Sequence, residues 1–144
     1  MKSSSTSAVK SLERAIELVN AIQRLDGAGI TELANETGIP KSTVYDHLST
    51  LENHEYLLKR GDTYHVGLRF LTHGGLARSK LNIFQIGKDE VDSLAAETGE
   101  LVSLAIEEHG LAVYVYVSRG EGAVDLDTYV GRRELLHPTA IGKA

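Results

Sequence analysis

The sequence contains no cysteine and no tryptophan, only two prolines, and no long run of apolar residues. Without cysteine, disulfide bonds and thiolate-bound metal sites are excluded, and a reducing, cytoplasmic location fits this composition. The apolar runs are too short to cross a bilayer. The N-terminal stretch MKSSSTSAVKSLERA has none of the hydrophobic character of a secretory signal. We therefore expect a cytoplasmic protein with no membrane span.

An excess of positive charge is also missing, because the 144 residues carry 15 Lys and Arg against 20 Asp and Glu. Residues 1–80 hold 10 basic and 9 acidic side chains, whereas residues 81–144 hold 5 basic and 11 acidic ones. The acidic second part argues against nucleic-acid binding there. The first part can bind DNA only where its positive charges are grouped.

The sequence also lacks a recognisable catalytic or metal-binding arrangement. Its 6 histidines show neither H-x-x-x-H nor H-E-x-x-H spacing, and no serine lies in a G-x-S-x-G elbow. The segment IGKA lacks the preceding glycine and the following hydroxyl residue that a phosphate loop needs. We therefore predict a protein that is not an enzyme and that holds no metal and no cofactor.

What the sequence does contain begins with two helical patterns. Residues 8–25 carry apolar residues at helical spacing, which predicts an amphipathic first helix. Its apolar positions are Ala8, Leu12, Ala15, Ile16, Val19 and Ile22. A shorter helix is expected over residues 31–37, with Thr31 as its N-cap. Gly38 then supplies a sharp turn, because glycine adopts positive φ at low cost.

A third helix is expected over residues 41–53. Pro40 favours a helix start at this point because its ring presets φ. The i, i+4, i+7 spacing of Val44, Leu48 and Leu51 predicts a buried stripe along this helix. The opposite stripe would then be free to face a partner.

A small β-hairpin is expected over residues 57–66, with its turn at Arg60-Gly61-Asp62. Three helices followed by a hairpin is the order typical of a winged helix-turn-helix, whose third helix enters the DNA major groove. The pattern alone leaves a second interpretation open, in which the same fold is a protein-interaction module without specific DNA binding.

The side chains predicted to contact DNA lie on the exposed side of the third helix, at the second helix and on the hairpin, which is the wing of this fold. They are Thr31, Lys41, Ser42, Thr43, Tyr45, Asp46, His47, Ser49, Lys59 and Arg60. The first turn of the third helix presents backbone N–H groups that favour a phosphate. Asp46 is able to accept from cytosine N4. Its carboxylate would be repelled by phosphates unless Lys41 or a nearby arginine pairs with it.

The second part of the chain alternates helix and strand patterns. We expect a linker helix over residues 68–80, weakened by Gly74-Gly75, and a second amphipathic helix over residues 82–99. The inward positions predicted for this later helix are Ile83, Ile86, Val91, Leu94 and Ala95. Strands are expected at 101–107, 111–118 and 123–130, and a further helix start near Thr139.

The predicted strands over residues 101–118 are strongly apolar on both faces and therefore need cover on both sides. A domain of about 64 residues supplies such cover poorly. We expect this part to be the first portion of a larger domain.

Four stretches resemble the IclR family of transcription regulators. They are AVKSLERAIELVNAI, ITELANETGIPKSTVYDHLSTLENHEYL, YHVGLRFLTHG and LHPTAIGKA. The resemblance implies an α+β protein with a winged helix-turn-helix over residues 1–67, a linker helix over 68–81, and an incomplete GAF-like α/β effector-binding domain over 82–144. It also implies a homodimer or homotetramer that binds a double-stranded DNA operator and responds to a small-molecule effector, an organic acid or sugar-derived compound.

The resemblance places part of an effector site at Thr139, Ala140 and Ile141, where the family's effector carboxylate meets backbone N–H groups at a helix start. The alternative is that Ala140 and Ile141 are ordinary core residues. One departure concerns Asp46, which stands where the family often has arginine. The resemblance therefore implies the docking mode but not the operator sequence.

Overall fold

The computed structural model describes residues 8–124 and 126–136. Its helices are α1 (Lys10–Arg24), α2 (Ile30–Thr37), α3 (Lys41–Asn53), α4 (Arg69–Ser79) and α5 (Asn82–Thr98). Its strands are β1 (Leu57–Arg60), β2 (Thr63–Val66), β3 (Leu101–Glu108), β4 (Leu111–Arg119) and β5 (Arg133–Leu135). This mixture of helix and strand, with a helix-turn-helix at the N-terminal side, confirms the predicted fold class. Among the described residues, no helix combines the length and apolarity needed to cross a membrane.

The chain divides within α4, between Thr72 and His73, into two compact units. The first unit closes an apolar core between α1, α2, α3 and the β1–β2 hairpin. The buried residues of this core are Leu18, Ala21, Ile22, Ala28, Leu33, Ile39, Val44, Leu48, Leu57 and Tyr64. The predicted stripe on α3 is confirmed at Val44 and Leu48, which are 0% exposed, whereas Leu51 is only half-buried.

The buried face of α1 differs from the predicted one. Leu12 and Ile16 are each 62% exposed, and the buried residues of α1 are Leu18, Ala21 and Ile22. The first turns of α1 lie beyond the apolar core of this unit. Apolar residues occur on more than one face of α1, so spacing alone did not identify the face that is buried.

The start of α2 also differs from the prediction. The N-cap is Gly29, without a side-chain hydrogen bond, so the assignment of Thr31 as N-cap was wrong. The backbones of Ala28 and Tyr64 exchange two hydrogen bonds, at 3.1 and 2.9 Å. This short bridge holds the chain extended up to Gly29, and the helix starts directly after it. Gly38 ends α2 at φ +69°, as predicted.

The hairpin is a two-stranded antiparallel sheet in which Arg60 pairs with Thr63. Arg60 was expected in the turn, but it is the last residue of β1. The turn is therefore Gly61-Asp62, with Gly61 at φ +58°. The Thr63 hydroxyl donates to the Arg60 carbonyl at 3.0 Å, which tightens this two-residue turn.

In the second unit, α5 packs against β3 and β4. Val91 and Ala95 are buried, as predicted, but Ile83, Ile86 and Leu94 are 48%, 76% and 48% exposed. A single helix face covers the sheet here, so the remaining apolar positions of α5 face outward. Gly74 and Gly75 lie inside α4 and do not interrupt this helix.

The sheet of the second unit has the antiparallel order β3-β4-β5. The third strand expected at 123–130 was wrong, because the strand that pairs with β4 is Arg133–Leu135. The Arg119 guanidinium donates to the carbonyls of Leu126 and Thr128 at 3.1 Å each. The amide of Thr128 donates locally to the Leu126 carbonyl. These contacts engage the carbonyls of Leu126 and Thr128 and the Thr128 amide without a neighbouring strand. The helix start expected near Thr139 lies outside the described residues.

Candidate nucleic-acid interface

The first turn of α3 presents backbone donors and short polar side chains to solvent. Pro40 is the N-cap and makes no side-chain hydrogen bond, while its carbonyl accepts from the Val44 amide at 2.9 Å. The three amides before Val44 have no acceptor within the helix. Lys41 and Ser42 are exposed and Thr43 is half-buried. An uncapped helix start with these side chains is suited to hold a phosphate oxygen.

The outward face of α3 continues with Tyr45, which is 54% exposed, and with Asp46, which is exposed as well. No lysine or arginine among the described residues pairs with the Asp46 carboxylate, so neither Lys41 nor a nearby arginine offsets its charge. The Thr50 hydroxyl donates to the Asp46 carbonyl at 2.8 Å and is therefore engaged by the main chain. Ser49 is half-buried beside this face. The face is polar but carries a solvated negative charge.

His47 lies apart from the other predicted contacts. Its Nδ1 is 2.8 Å from the Thr43 carbonyl oxygen, and its Nε2 is 3.1 Å from the Ser11 carbonyl oxygen of α1. The half-buried ring therefore lies between α3 and α1, with both nitrogens directed at main-chain oxygens.

Lys59 and Thr31, both predicted contacts, line one open groove of about 800 Å³ between the start of α2 and the wing. The Lys59 ammonium lies 5.5 Å from the centre of the Tyr64 ring, so a cation–π contact directs it into this groove. Arg60 lines a different cavity, of about 270 Å³, together with Asp26 and other residues. Successive side chains of a strand point to opposite sides, which separates these two wing cations.

Asn35, which was not among the predicted contacts, lines the same groove as Thr31 and Lys59. The signal was available, since Asn35 lies four residues after Thr31 and so on the same face of α2. Three carboxylates also line this groove, Glu32, Glu36 and Asp62. Arg24 pairs with Glu36 at 3.1 Å and offsets that one charge.

The second unit contains a polar cluster that joins α5 to β4. Asp92 accepts from the Lys88 ammonium at 3.1 Å and from the Tyr116 hydroxyl at 2.9 Å. Hydrogen bonds from Ser118, Lys88 and Tyr116 hold the pKa of Asp92 below its ordinary value. The hydrogen bond with Asp92 raises the pKa of Lys88. The cluster stabilises the packing of the helix on the sheet.

A second polar contact joins β4 to β5. Burial, followed by the hydrogen bond to Glu134 at 2.9 Å, raises the pKa of Tyr114. Arg132 pairs with the same carboxylate group at 2.7 Å.

The predicted effector contacts Thr139, Ala140 and Ile141 lie outside the described residues. Within the part of the chain that the structure describes, no group of three acidic or histidine side chains is placed to hold a metal ion.

Comparisons with known proteins assign both units to one family. Residues 11–61 match the IclR helix-turn-helix domain, and residues 76–144 match the C-terminal domain of the bacterial transcriptional regulator IclR. Similar curated proteins include the HTH-type transcriptional regulator KipR of Bacillus subtilis, 31% identical over 136 residues, which cover 94% of this chain and 54% of KipR. The HTH-type transcriptional regulator KdgR of Dickeya chrysanthemi is 30% identical over 140 residues, covering 94% and 45%.

Solved structures show the same likeness. The IclR family transcriptional regulator from Brucella abortus has a TM-score of 0.72 and 26% identity, over 97% of this chain and 54% of that one. The Thermotoga maritima IclR has a TM-score of 0.74 and 24% identity, over 94% and 56%, and so shares the fold. The chain spans about half the length of the curated relatives it matches.

Proposed function

This chain belongs to the IclR family of transcriptional regulators, and from that premise we propose that it binds a specific DNA operator in the cytoplasm and regulates transcription, rather than catalysing a reaction. The observation that carries the proposal is the geometry of α3. Its buried stripe closes the core, and its opposite face begins with uncapped amides beside Lys41 and Ser42. Such a helix is free to enter the major groove.

In this proposal, residues 1–67 form the DNA-binding domain, 68–81 the linker helix and 82–144 the first part of an effector-binding domain. The two family matches, at 11–61 and 76–144, support this division. The effector is an organic acid or sugar-derived compound, with Thr139–Ile141 as part of its site.

We propose that the DNA contacts fall into two classes. Lys41, Thr43, Thr31, Lys59 and Arg60 contact phosphates and fix the position of the protein. The α3 side chains Tyr45, Asp46 and Ser49 reach base edges. Because Asp46 is solvated and unpaired among the described residues, it is suited to a base amino group such as cytosine N4, and not to a phosphate.

We further propose that a second copy of the chain covers an apolar patch on the first unit. We define this patch as the exposed apolar side chains at the starts of α1 and α4, which are Val9, Leu12, Ile16, Leu68 and Leu71, at 57%, 62%, 62%, 78% and 65% exposure. An apolar cavity of about 290 Å³ beside them is lined by Ala15, Ile16, Val19, Asn20, Leu51, Tyr56 and Phe70. Soluble proteins seldom leave such a patch uncovered. A two-fold dimer would present two α3 helices to half-sites about 34 Å apart.

Regulation then follows from linkage. An effector that binds one arrangement of the two subunits more tightly shifts the equilibrium toward it, and with it the spacing of the two α3 helices. Operator affinity then changes by the free energy that couples effector binding to DNA binding.

Ser42→Tyr tests the docking of α3. The variant places a bulky ring where the helix start would meet the DNA, so specific binding should be lost while the unfolding transition stays unchanged. Ser93→Tyr, an exposed position on α5, is the matched control and should bind as the original chain does. Equal affinity of both variants for duplexes from the flanks of the chain's own gene would move the recognition surface away from α3.

A double substitution, Lys59→Ala with Arg60→Ala, tests the wing. Binding to all sequences should weaken, and the slope of log affinity against log salt should flatten by roughly one unit per lost phosphate contact. A loss confined to one operator sequence would contradict a phosphate role.

The unpaired Asp46 on the exposed face of α3 favours a second candidate function, a protein-interaction module. That function predicts no salt-dependent DNA binding, and Asp46→Asn separates the two. On DNA, the variant should relax the preference at one base pair. In a protein-interaction module, neither the original chain nor the variant should show sequence-selective, salt-dependent DNA binding.

A further inference from the structure

Both ring nitrogens of His47 lie at hydrogen-bond distance from carbonyl oxygens. Nδ1 is 2.8 Å from the Thr43 oxygen in the first turn of α3, and Nε2 is 3.1 Å from the Ser11 oxygen in the first turn of α1. Carbonyl oxygens only accept, so each contact requires an N–H from the ring. The imidazolium donates to both oxygens, and the neutral ring donates to one. Neither nitrogen is left to donate to DNA while both contacts are made.

The first turn of α1 has few other contacts. Residues 8–13 are all exposed, and the N-cap Val9 makes no side-chain hydrogen bond. The first buried residue of α1 is Leu18, about two turns later. Within residues 8–124 and 126–136, the bond from His47 to Ser11 is the hydrogen bond that joins this turn to α3.

The anchored turn of α1 also carries part of the apolar patch, because Leu12 directly follows Ser11. The charged side chains in or next to the two joined turns are Lys10, Glu13 and Arg14 on α1 and Lys41 and Asp46 on α3. None of these five forms an ion pair within the described residues. The histidine is thus the polar link between the patch on α1 and the DNA-facing turn of α3.

We propose that His47 is a positioning residue that makes no DNA contact, and that it ties the first turn of α3 to the first turn of α1. It thereby couples the arrangement of the α1 patch to the placement of Ser42 and Thr43. This inference rests on the proposed DNA-binding function for its consequence, whereas the anchoring itself is a property of the free protein.

The test compares His47→Ala and His47→Gln with His54→Ala, an exposed histidine that follows α3. In the free protein, the amides of Arg14 and Ala15 should exchange with solvent about 2- to 10-fold faster in His47→Ala, the range expected for one lost hydrogen bond. His47→Gln keeps a donor and should restore part of the protection. His54→Ala should leave exchange unchanged.

Operator affinity of His47→Ala should fall by a similar factor with an unchanged salt slope. A slope reduced by about one unit would mean a direct phosphate contact and would overturn the proposal. Unchanged exchange at Arg14 and Ala15 in both variants would overturn it too. Faster exchange in a chain that binds no DNA would support the anchoring and refute the proposed function, so the two failures are distinguishable.

Discussion

The two units of this chain stabilise their helices in different ways. In the first unit, α3 buries Val44 and Leu48 completely against α1, α2 and the hairpin. In the second unit, α5 buries Val91 and Ala95, and a hydrogen bond from the Tyr116 hydroxyl to Asp92 adds a polar contact with β4. The comparison separates a fold maintained by close apolar packing from one in which hydrogen bonds and ion pairs have a larger share.

This difference predicts different sensitivity to the same substitution. Leu48→Ala should lower the free energy of unfolding of the first unit by about 2–5 kcal/mol, because it leaves a cavity in a filled core. Leu94→Ala removes the same atoms from an α5 side chain that is 48% exposed, so its effect should stay within about 0.5 kcal/mol. Urea unfolding followed by amide exchange reports each unit separately. Equal losses of unfolding free energy in Leu48→Ala and Leu94→Ala would contradict this difference between the two units.

Close backbone packing does occur at one point of the second unit. A Cβ at Gly120 would lie 2.3 Å from the carbonyl carbon of Gly99 and 2.4 Å from the Ala95 oxygen. Backbone atoms cannot rotate away, so Gly120→Ala should destabilise the second unit by about 1–3 kcal/mol. The amide exchange of α5 should quicken while that of α3 is unaffected. An unchanged stability of the second unit in Gly120→Ala would show that the backbone at the end of α5 shifts at little cost.

The opposite sign is expected at Gly74 in α4. Nothing lies within 4 Å of a Cβ built there, and the residue has ordinary helical backbone. Gly74→Ala should stabilise α4 by about 0.5–1 kcal/mol because alanine loses less backbone entropy on folding. Circular dichroism during thermal unfolding measures this gain. A loss of stability would indicate that α4 needs glycine for a close contact, such as one with a second chain.

The smallest predicted effect concerns the acid stability of the second unit. The lowered pKa of Asp92 means that its carboxylate form favours folding above the ordinary pKa of 3.8. This contribution should disappear as the pH falls through the lowered, folded-state pKa. Asp92→Asn should therefore be less stable than the original chain at neutral pH, and the difference should shrink in acid. Asp89→Asn, at an exposed neighbouring position, should retain the original pH dependence in urea unfolding at each pH.

Local signals allowed accurate prediction in several elements. The bounds of α3, residues 41–53, follow from Pro40 and the spacing of Val44 and Leu48, which act within a few residues. Gly38 and Gly99 end their helices at positive φ, a backbone conformation that glycine adopts without a steric penalty.

Features decided by distant contacts were not predictable in this way. The outward position of Ile16 depends on where α2 and α3 pack on α1. The strand that pairs with β4 is β5 and not the segment expected at 123–130, where the Arg119 guanidinium donates to carbonyls seven and nine residues away.

The candidate interface also contains some features that local signals predict and others that distant contacts decide. The helix-turn-helix pattern alone is enough to place the polar residues at the start of α3 in the candidate interface. The role of His47 requires a carbonyl 36 residues away, and the separation of Lys59 from Arg60 requires the strand register. Helical phase pointed to the exposed face of α3 correctly, but not to which of its side chains were already engaged by the main chain.

The most direct test of the central claim is a titration of this 144-residue chain against duplexes that tile the flanks of its own gene, at several salt concentrations and with random duplex as competitor. We predict that one duplex binds selectively, with an affinity that falls steeply as salt rises. Selective binding that appeared only in a chain extended past Ala144 would support the same function and assign dimerisation to further residues. Absence of selective binding in both chains would contradict the account and leave the helix-turn-helix as a protein-interaction module.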